Sequence, residues 1–347
     1  MRSPSTTRKH RTRTRRTSTG KDAKVAREAA RKAWRTIRAQ RHQRATIGSA
    51  TLMDFIGERL TLPSGVVGGT YVLHPPLIKA SKLTNAEKGG VGKELSDGWV
   101  INFAIGCTFG CKFCYVDEIH KKFSVRRAGN LVNNPWGNYF SVPENLREVM
   151  EKTPWEKWKG QEVMLSSTHD PYLPQLFKWT RMILERALPA GVKFCIQTRS
   201  PLVEKDFNLI SEYSKQVRLQ VSVATMDEKF SRMIEPRVVK PDRRLEILRN
   251  ANDYGLLTGI IIAPVFPPVK GRPDVKADLE SIAAELSGIR PDHIYGESLH
   301  VRGINLAYLE EALGEKITLN GFDTECEQLF NQTLKDYNLT GRWWREY

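Results

Sequence analysis

The sequence predicts an α/β fold built on a parallel sheet, because apolar strand-like runs alternate regularly with helical patterns. The six candidate strands cover residues 99–105, 162–167, 192–197, 217–224, 256–264 and 293–297. The helical patterns between them lie at about 115–122, 143–151, 174–188, 204–214, 241–254 and 274–288. Alternation of this kind gives parallel strands joined by right-handed crossovers. Ligands in such folds bind at the carboxyl ends of the strands.

Three cysteines follow the first predicted strand within eight residues. Cys107, Cys111 and Cys114 are separated by three residues and then by two. Thiolates bind soft metals, and a short loop with this spacing can direct three sulfurs at one point. A closed zinc site or an ordinary iron–sulfur site needs four protein ligands. Because no fourth cysteine follows nearby, the pattern favours a [4Fe–4S] cluster with one open iron.

Two other interpretations of these cysteines stay open from the sequence. His120, six residues after Cys114, could complete a zinc site, and the chain would then be a zinc-stabilised nucleic-acid-binding module. The cysteines could also be ordinary core residues, since the segment before them is apolar. The metal content of protein purified without oxygen distinguishes these cases, because iron–sulfur protein is brown and zinc protein is colourless.

The C-x3-C-x2-C spacing, with the aromatic Phe113 before the third cysteine, resembles the signature of the radical S-adenosylmethionine (SAM) superfamily. The resemblance implies a partial (β/α)6 barrel and a [4Fe–4S] cluster whose open iron binds SAM through its amine and carboxylate. It also implies that one electron, from a donor such as flavodoxin or ferredoxin, cleaves SAM to a 5′-deoxyadenosyl radical that abstracts a substrate hydrogen. The backbone of Phe113 would lie near the adenine.

Further motifs resemble the spore photoproduct lyase-like branch of that superfamily, over about residues 98–305. They are Thr168-x-Asp170-Pro171-Tyr172, Glu235-Pro236-Arg237, an arginine-rich helix containing Arg243 and Arg244, and Ala263-Pro264-Val265. The resemblance implies that the end of the fourth strand, with Ser222 and Ala224, helps to hold the ribose and carboxylate of SAM. The strand that contains Ile262 would pass under the adenine.

Polar residues near the strand ends are further candidates for SAM binding. Thr168 and Asp170 are suited to accept hydrogen bonds from the SAM amine, and Asp170 is also a candidate N-cap for the helix that follows. Glu235 and Arg237 either form a local ion pair across Pro236 or face the barrel mouth, where Arg237 would bind the SAM carboxylate.

Two residues are candidates for returning a hydrogen atom to a product radical. Tyr115 matches a tyrosine that follows the third cysteine in the lyase, and phenols can relay a hydrogen atom. Cys195 lies in the third strand beside Phe194 and Ile196, and it could act as a donor if its side chain points inward. Packing is the alternative role for both. The cysteine that the lyase itself uses as donor has no counterpart around residues 155–158.

The formal net charge of +15 is concentrated in an N-terminal arm. Residues 1–45 contain 16 Lys/Arg and two acidic residues, a net charge of +14, which leaves +1 for the remaining 302 residues. Residues 1–20 have nothing to bury and are expected to be disordered, whereas residues 21–45 have the apolar spacing of a basic helix. The arm therefore predicts a nucleic-acid partner, with a solvated helix that docks on the body, or a disordered tail, as the alternatives.

The composition also bounds the location of the protein. No apolar run approaches the ~20 residues of a membrane helix, and no apolar stretch of the kind found in secretory signals follows the basic N-terminus. The five cysteines are an odd number, with three crowded together, which argues against a disulfide framework. We expect a reducing compartment, the cytoplasm, and no membrane association.

Four segments and one function follow from these observations. The expected segments are a basic arm (1–45), an irregular lead-in (46–97), a partial barrel (98–304) and a C-terminal helical extension (305–347). Closing helices are expected at 305–313 and 324–337, with a capping box from Thr324 to Glu327 and Cys326 as a buried small hydrophobe. The expected function is radical SAM chemistry, of lyase or transferase type, in nucleic-acid repair or modification. Modification of a protein, peptide or small molecule is the alternative.

Overall fold

An open sheet of eight strands organises the fold in this computed structural model. The structure describes residues 51–55, 58–85 and 94–345, all within the unit Gly48–Tyr347. The basic arm of residues 1–45 lies outside the described residues, and so does its predicted helix. No helix in the described part of the chain is long and apolar enough to cross a membrane.

All six predicted strands are present, and they are parallel neighbours. The strands are β1 (Thr51–Phe55), β2 (Glu58–Leu62), β3 (Val67–Tyr71), β4 (Ile78–Ala80), β5 (Trp99–Ile101), β6 (Tyr139–Pro143), β7 (Glu162–Leu165), β8 (Lys193–Thr198), β9 (Val217–Ser222), β10 (Leu257–Val265), β11 (His293–Ser298) and β12 (Arg342–Trp344). The sheet order is β12-β11-β10-β9-β8-β7-β5-β4, and only β4 pairs antiparallel. The sheet has two free edges, which confirms the predicted partial barrel. β1 and β2 form a hairpin, and β3 pairs with β6.

Helices connect the central strands and close the C-terminal end. Their bounds are α1 (Val116–Phe123), α2 (Val125–Ala128), α3 (Leu146–Glu151), α4 (Phe177–Ala187), α5 (Phe207–Glu212), α6 (Glu228–Ile234), α7 (Pro241–Asp253), α8 (Val275–Ile289), α9 (Asn305–Leu313) and α10 (Phe322–Asp336). Short 3₁₀ helices cover Gly129–Asn133, Trp155–Trp158 and Pro201–Asp206. The crossovers between successive parallel strands therefore match the predicted alternation.

The two faces of the sheet are buried in different ways. In β8, Phe194 and Ile196 belong to the large core beneath the helices, whereas Cys195 belongs to a small apolar cluster on the other face. That cluster consists of Leu95, Val100, Met164, Cys195, Ile261, Tyr295 and Trp344. All residues of β9 are buried, as expected for a parallel strand that is covered on both faces.

Some local expectations were wrong. The first central strand ends at Ile101, and Ile105 instead bridges Ser141 outside the sheet. Helix α10 begins at Phe322 with Gly321 as its N-cap, so Thr324 lies inside the helix and forms no capping box.

The C-terminal end and one crossover also contain elements that the sequence did not predict. Strand β12 lies near the end of the described residues, and its Trp344 stacks on Tyr295 with ring centroids 4.6 Å apart. Trp343 packs on Phe330 at 5.3 Å. The C-terminal residues therefore extend the sheet in addition to forming closing helices. Helix α6 was not predicted either.

Candidate active site

The three motif cysteines line one cavity of about 890 Å³ at the carboxyl ends of the strands. Their loop joins β5 to α1 and is built from tight turns: the amide of Gly110 donates to the carbonyl of Cys107 at 3.2 Å, and the amide of Cys114 donates to that of Cys111 at 3.1 Å. Gly110 has φ +63°, a conformation that favours glycine. Gly137, from the segment before β6, packs against this loop, and a Cβ on Gly137 would lie 2.6 Å from the Cα of Gly110. This close approach needs glycine at both positions.

All three thiols are free and lie where a lone thiolate is disfavoured. Burial is the main cause that raises the pKa of Cys107 and of Cys114 to about 12. It also raises the pKa of Cys111, against the influence of the nearby Arg199 cation. A bound metal stabilises the deprotonated sulfur in such a position. The burial and grouping of the three thiols therefore fit metal ligands.

The geometry around the cysteines fits a cluster better than a single zinc ion. Among the residues that the structure describes, no three His, Cys, Asp or Glu side chains are close enough to hold one metal ion. Ligands of a [4Fe–4S] cube bind different irons, so their sulfurs need not converge on one point. His120, the candidate fourth zinc ligand, has both ring nitrogens engaged, with Ser124 Oγ at 3.0 Å and the carbonyl of Thr168 at 3.2 Å.

Arg237 supports the cysteine loop from outside the cavity. Its Nη1 donates to the carbonyls of Thr108 at 3.2 Å and Gly137 at 2.5 Å, and its Nη2 donates to Asn138 Oδ1 at 3.0 Å. It is not among the residues that line the cavity. The structure therefore does not place Arg237 at the barrel mouth, where the sequence suggested that it binds the SAM carboxylate.

Arg199 is the cation that the structure places beside the cysteines. It lines the cavity, and its guanidinium lies 5.7 Å from the ring centroid of Phe113. Burial opposes the charge of Arg199, but the Glu235 carboxylate helps to raise the pKa of the guanidinium, which is charged at any working pH. The sequence reasoning missed this residue, although it follows a predicted strand end just as Thr168 and Asp170 do.

Glu235 is the buried counter-ion of two arginines and does not form the predicted local pair with Arg237. It accepts from Arg199 Nε at 2.9 Å and from Arg244 Nη2 at 2.6 Å. Glu235 and Arg244 have fully buried side chains. Burial alone would raise the pKa of Glu235, but Arg244 and Arg199 outweigh it, so this pKa is lowered. Glu235 lies outside the cavity lining and orients Arg199 from behind.

Asp170 ties two strand ends together at the cavity wall. One carboxylate oxygen accepts from Thr198 Oγ1 at 2.7 Å and from the amide of Tyr172 at 2.8 Å, and the other accepts from the amide of Arg199 at 2.7 Å. Burial raises the pKa of Asp170, and these hydrogen bonds partly offset that effect. Helix α4 begins at Phe177, so Asp170 is not its N-cap. Thr168 and Asp170 both line the cavity, as their predicted role requires.

The other SAM-binding candidates divide between the cavity and the core. Phe113 lines the cavity, and its carbonyl accepts from Asn305 Nδ2 at 2.9 Å. Ser222 and Ala224 are buried at the end of β9 but do not line the cavity, and Ser222 Oγ accepts from Gln197 at 3.3 Å. Ile262 packs into the core under the helices. Its neighbours Ile261 and Ala263 face the cavity instead.

The two candidate hydrogen donors also differ in position. Tyr115 lines the cavity directly after Cys114, and Arg302 lies 5.7 Å from its ring centroid. Cys195 is fully buried in the small apolar cluster on the face of the sheet opposite the helices, and it does not line the cavity. The structure therefore brings Tyr115, but not Cys195, to the site of the three cysteines. Cys326 is fully buried in α10.

A partial parallel barrel with three cysteines at the carboxyl ends of its strands defines a class of iron–sulfur enzymes that use SAM. The model of the radical SAM superfamily matches residues 101–302 of this chain. The chain belongs to the radical SAM superfamily. Its cofactors are accordingly a [4Fe–4S] cluster and SAM.

The chain is also similar to other proteins and to solved structures. An uncharacterized protein of Acidianus two-tailed virus is 58% identical over 279 residues, which cover 80% of this chain and 93% of that protein. An uncharacterized protein of Methanocaldococcus jannaschii is 28% identical over 55% of this chain and 67% of its own length. Spore photoproduct lyase complexed with dinucleoside spore photoproduct has a TM-score of 0.55 at 13% identity, and 80% of this chain and 81% of the lyase are covered. At that identity the similarity shows the fold alone.

Proposed function

We propose that this radical SAM enzyme acts on nucleic acid in a reducing cytoplasm, in repair or modification. The uneven charge carries the proposal: residues 1–45 have a net charge of +14, whereas the other 302 residues have +1. Lys and Arg that neutralise phosphates release condensed counterions, which is the main source of non-specific affinity for nucleic acid. A basic arm joined to a catalytic barrel is suited to keep the barrel on a polymeric substrate.

The cavity and the fold support the same substrate class. Of the described residues that line the cavity, four are Lys or Arg and two are Asp or Glu: Lys82, Arg127, Arg199 and Arg302 against Asp170 and Glu297. Glu235 offsets the charge of Arg199 from behind the wall, and the other three cations still outnumber the two acids, which suits a polyanion. The similar fold of spore photoproduct lyase accommodates a dinucleoside spore photoproduct, so a nucleotide substrate is compatible with a barrel of this type.

The residues of this chain have separable roles in the proposed reaction. When bound, the cluster and SAM supply the radical that removes a hydrogen atom from the substrate, with an electron from a donor such as flavodoxin or ferredoxin. Arg199, with a partly buried side chain at the cavity wall, is the cation that would hold the SAM carboxylate. Asp170 and Thr168 offer oxygen acceptors for the amine, and Phe113 offers a backbone edge near the adenine. The cavity wall encloses the reacting groups and limits side reactions with water.

Tyr115→Phe is expected to uncouple SAM cleavage from product formation. The phenol lines the cavity beside Cys114, and its loss removes a hydrogen atom that can be returned to a product radical. The variant should still form 5′-deoxyadenosine but release less finished product for each SAM cleaved. Cys195→Ala is the matched control, because that thiol lies outside the cavity lining. If Tyr115→Phe released as much finished product for each SAM cleaved as the unaltered protein, Tyr115 would have only a packing role.

Deletion of residues 1–45 tests the nucleic-acid assignment. The truncated protein should retain its iron and its uncoupled SAM cleavage, but its affinity for DNA or RNA should fall, together with most of the salt dependence of binding. Fluorescence anisotropy of both proteins across a salt series measures the two effects. Equal affinities and equal salt slopes would contradict the role of the arm and favour a protein, peptide or small-molecule substrate.

A further inference from the structure

Phe123 is a large apolar side chain that the fold leaves exposed at the cavity mouth. It is the last residue of α1, its side chain is 67% exposed, and it also lines the cavity that contains the motif cysteines. Val116, Ile119, His120 and Phe123 have helical spacing and together form the cavity face of this helix. An exposed aromatic ring at the entrance of a functional cavity is a candidate binding residue.

One cation contacts this ring, and others lie on the next helix or line the same cavity. The Nζ of Lys122 lies 5.5 Å from the Phe123 ring centroid. Lys122 is exposed, and so are Arg126 and Arg127 in α2. Arg302 enters the same cavity from the loop after β11. Of the nearby acids, Asp117 pairs with Lys121 at 2.7 Å, and Glu297 lies 3.0 Å from His300 Nε2.

An aromatic ring among cations matches the chemistry of an unpaired nucleotide. Proteins that hold single strands combine a positively charged groove for the phosphates with aromatic side chains on which bases stack. A base inside a duplex does not present its face to a protein ring, so stacking requires an unpaired or extruded nucleotide. An acidic peptide would use the same cations but has no ring face of its own for Phe123.

The position of Phe123 indicates which nucleotide it would meet. Phe123 lies eight positions after Tyr115 in the chain, which corresponds to about 12 Å along a helix. Tyr115 lies next to Cys114 at the inner end, where the reaction takes place, and Phe123 lies at the outer end. A base on Phe123 is therefore a neighbour of the reacting nucleotide and is not the reacting nucleotide itself.

We propose that Phe123 stacks on an unpaired base that flanks the reacting nucleotide, while Lys122, Arg127 and Arg302 contact the adjoining phosphates. This inference rests on the proposed nucleic-acid function and goes beyond it. It identifies the substrate as a single-stranded or locally opened segment and assigns its recognition to the end of α1. The basic arm supplies affinity without base contacts, whereas Phe123 supplies the preference for an unpaired base.

The test compares Phe123→Ala, Phe123→Leu and Phe123→Trp in the full-length, cluster-loaded protein with SAM present. The probes are a short single strand that carries 2-aminopurine, the matching duplex, and a polyglutamate peptide. Phe123→Ala and Phe123→Leu should each lose roughly 5- to 150-fold in single-strand affinity, the range for loss of one base–aromatic stack. Phe123→Trp should retain affinity. Only the proteins with an aromatic ring at position 123 should quench the 2-aminopurine emission.

Salt dependence and a neighbouring variant complete the design. Phe123→Ala should leave the salt slope of single-strand binding unchanged, whereas Arg127→Gln should lower it by about 0.7, the value for one phosphate contact on a single strand. Val125→Ala is the matched control, because Val125 is 47% exposed close to Phe123 but does not line the cavity. Its affinity should equal that of the unaltered protein.

Different results would overturn the two proposals. If the unaltered protein binds nucleic acid but Phe123→Ala does so equally well, or loses as much affinity for duplex as for single strand, the stacking role is wrong and the nucleic-acid function stands. If polyglutamate shows the same affinity and the same loss in Phe123→Ala, the site recognises an acidic protein. If the unaltered protein binds no nucleic acid, both proposals fail.

Discussion

Replacement of Cys107, Cys111 or Cys114 by alanine is expected to remove the cluster and abolish SAM cleavage in each case. These residues line one cavity, and the loop contains no further thiol that could substitute for a lost ligand. The two remaining cysteines would leave two irons of a [4Fe–4S] cube without a protein ligand. Iron and sulfide content, visible absorbance and 5′-deoxyadenosine formation with dithionite, all measured without oxygen, report the effect.

Cys195→Ala and Cys326→Ala provide the matched controls for the cluster ligands. Both residues are fully buried and do not line the cavity, so their replacement should cost stability of about 1 kcal/mol through lost packing. Iron content and SAM cleavage should stay at the level of the unaltered protein. Full iron content together with SAM cleavage in Cys111→Ala would contradict the assignment of the ligands.

The sequence was sufficient to predict the positions of the barrel strands, because buried strands leave a strong local signal. The run at 256–264 is almost continuously apolar, whereas the run at 217–224 alternates apolar with polar residues, and the two form β9 and β10 as neighbours in the sheet. The cysteine loop was equally accessible, since its chemistry depends on three residues that are close in the chain. Local signals of this kind survive without knowledge of the tertiary contacts.

Side-chain direction in the loops could not be predicted in the same way. Arg199 and Arg237 both lie in turns near strand or helix ends, and neither local sequence states which guanidinium enters the cavity. The direction depends on Glu235, which lies 36 positions from Arg199 in the chain and accepts its Nε–H. Arg237 instead finds three oxygen acceptors on the loops around Thr108 and Gly137. Long-range contacts decided the outcome in both cases.

The predicted start of α10 was wrong for a related reason. Thr324 and Glu327 have the spacing of a capping box, but Gly321 adopts φ +69° and serves as the N-cap, so α10 starts one turn earlier. The buried face of α10, which includes Phe322 and Cys326, packs in the main core. Tertiary packing of an apolar face stabilises a helix more than its caps do, and it therefore determined the register here.

Arg199→Gln is expected to weaken SAM binding strongly while the protein stays folded. The side chain lines the cavity, and its backbone amide is held by Asp170 at 2.7 Å, so the substitution removes the charge without removing the loop anchor. Loss of one partner of a buried charge pair costs about 2–5 kcal/mol, which corresponds to roughly 30-fold or more in the dissociation constant for SAM. Isothermal titration calorimetry of cluster-loaded protein measures this constant without turnover.

The fold should tolerate Arg199→Gln but not the loss of the acid behind it. Glu235 keeps its buried pair with Arg244 at 2.6 Å in the Arg199 variant. In Glu235→Gln, both arginines lose their counter-ion, which is expected to reduce the free energy of unfolding by about 3–5 kcal/mol. Because the folded-state pKa of Glu235 is lowered, its contribution is complete above the ordinary carboxyl pKa of about 4.3. It disappears as the pH falls through the lowered value.

Two further arginine variants make the SAM result specific to Arg199. Arg243→Gln is the matched control, because Arg243 lies in α7 beside Arg244 but pairs with Glu204 at 2.9 Å outside the cavity lining. It should bind SAM as the unaltered protein does. Arg237→Gln examines the residue that the sequence first suggested for the carboxylate. The role of Arg199 would be refuted if Arg199→Gln retained its affinity for SAM while Arg237→Gln lost SAM affinity at full iron content. Arg237 would then be the residue that binds the SAM carboxylate.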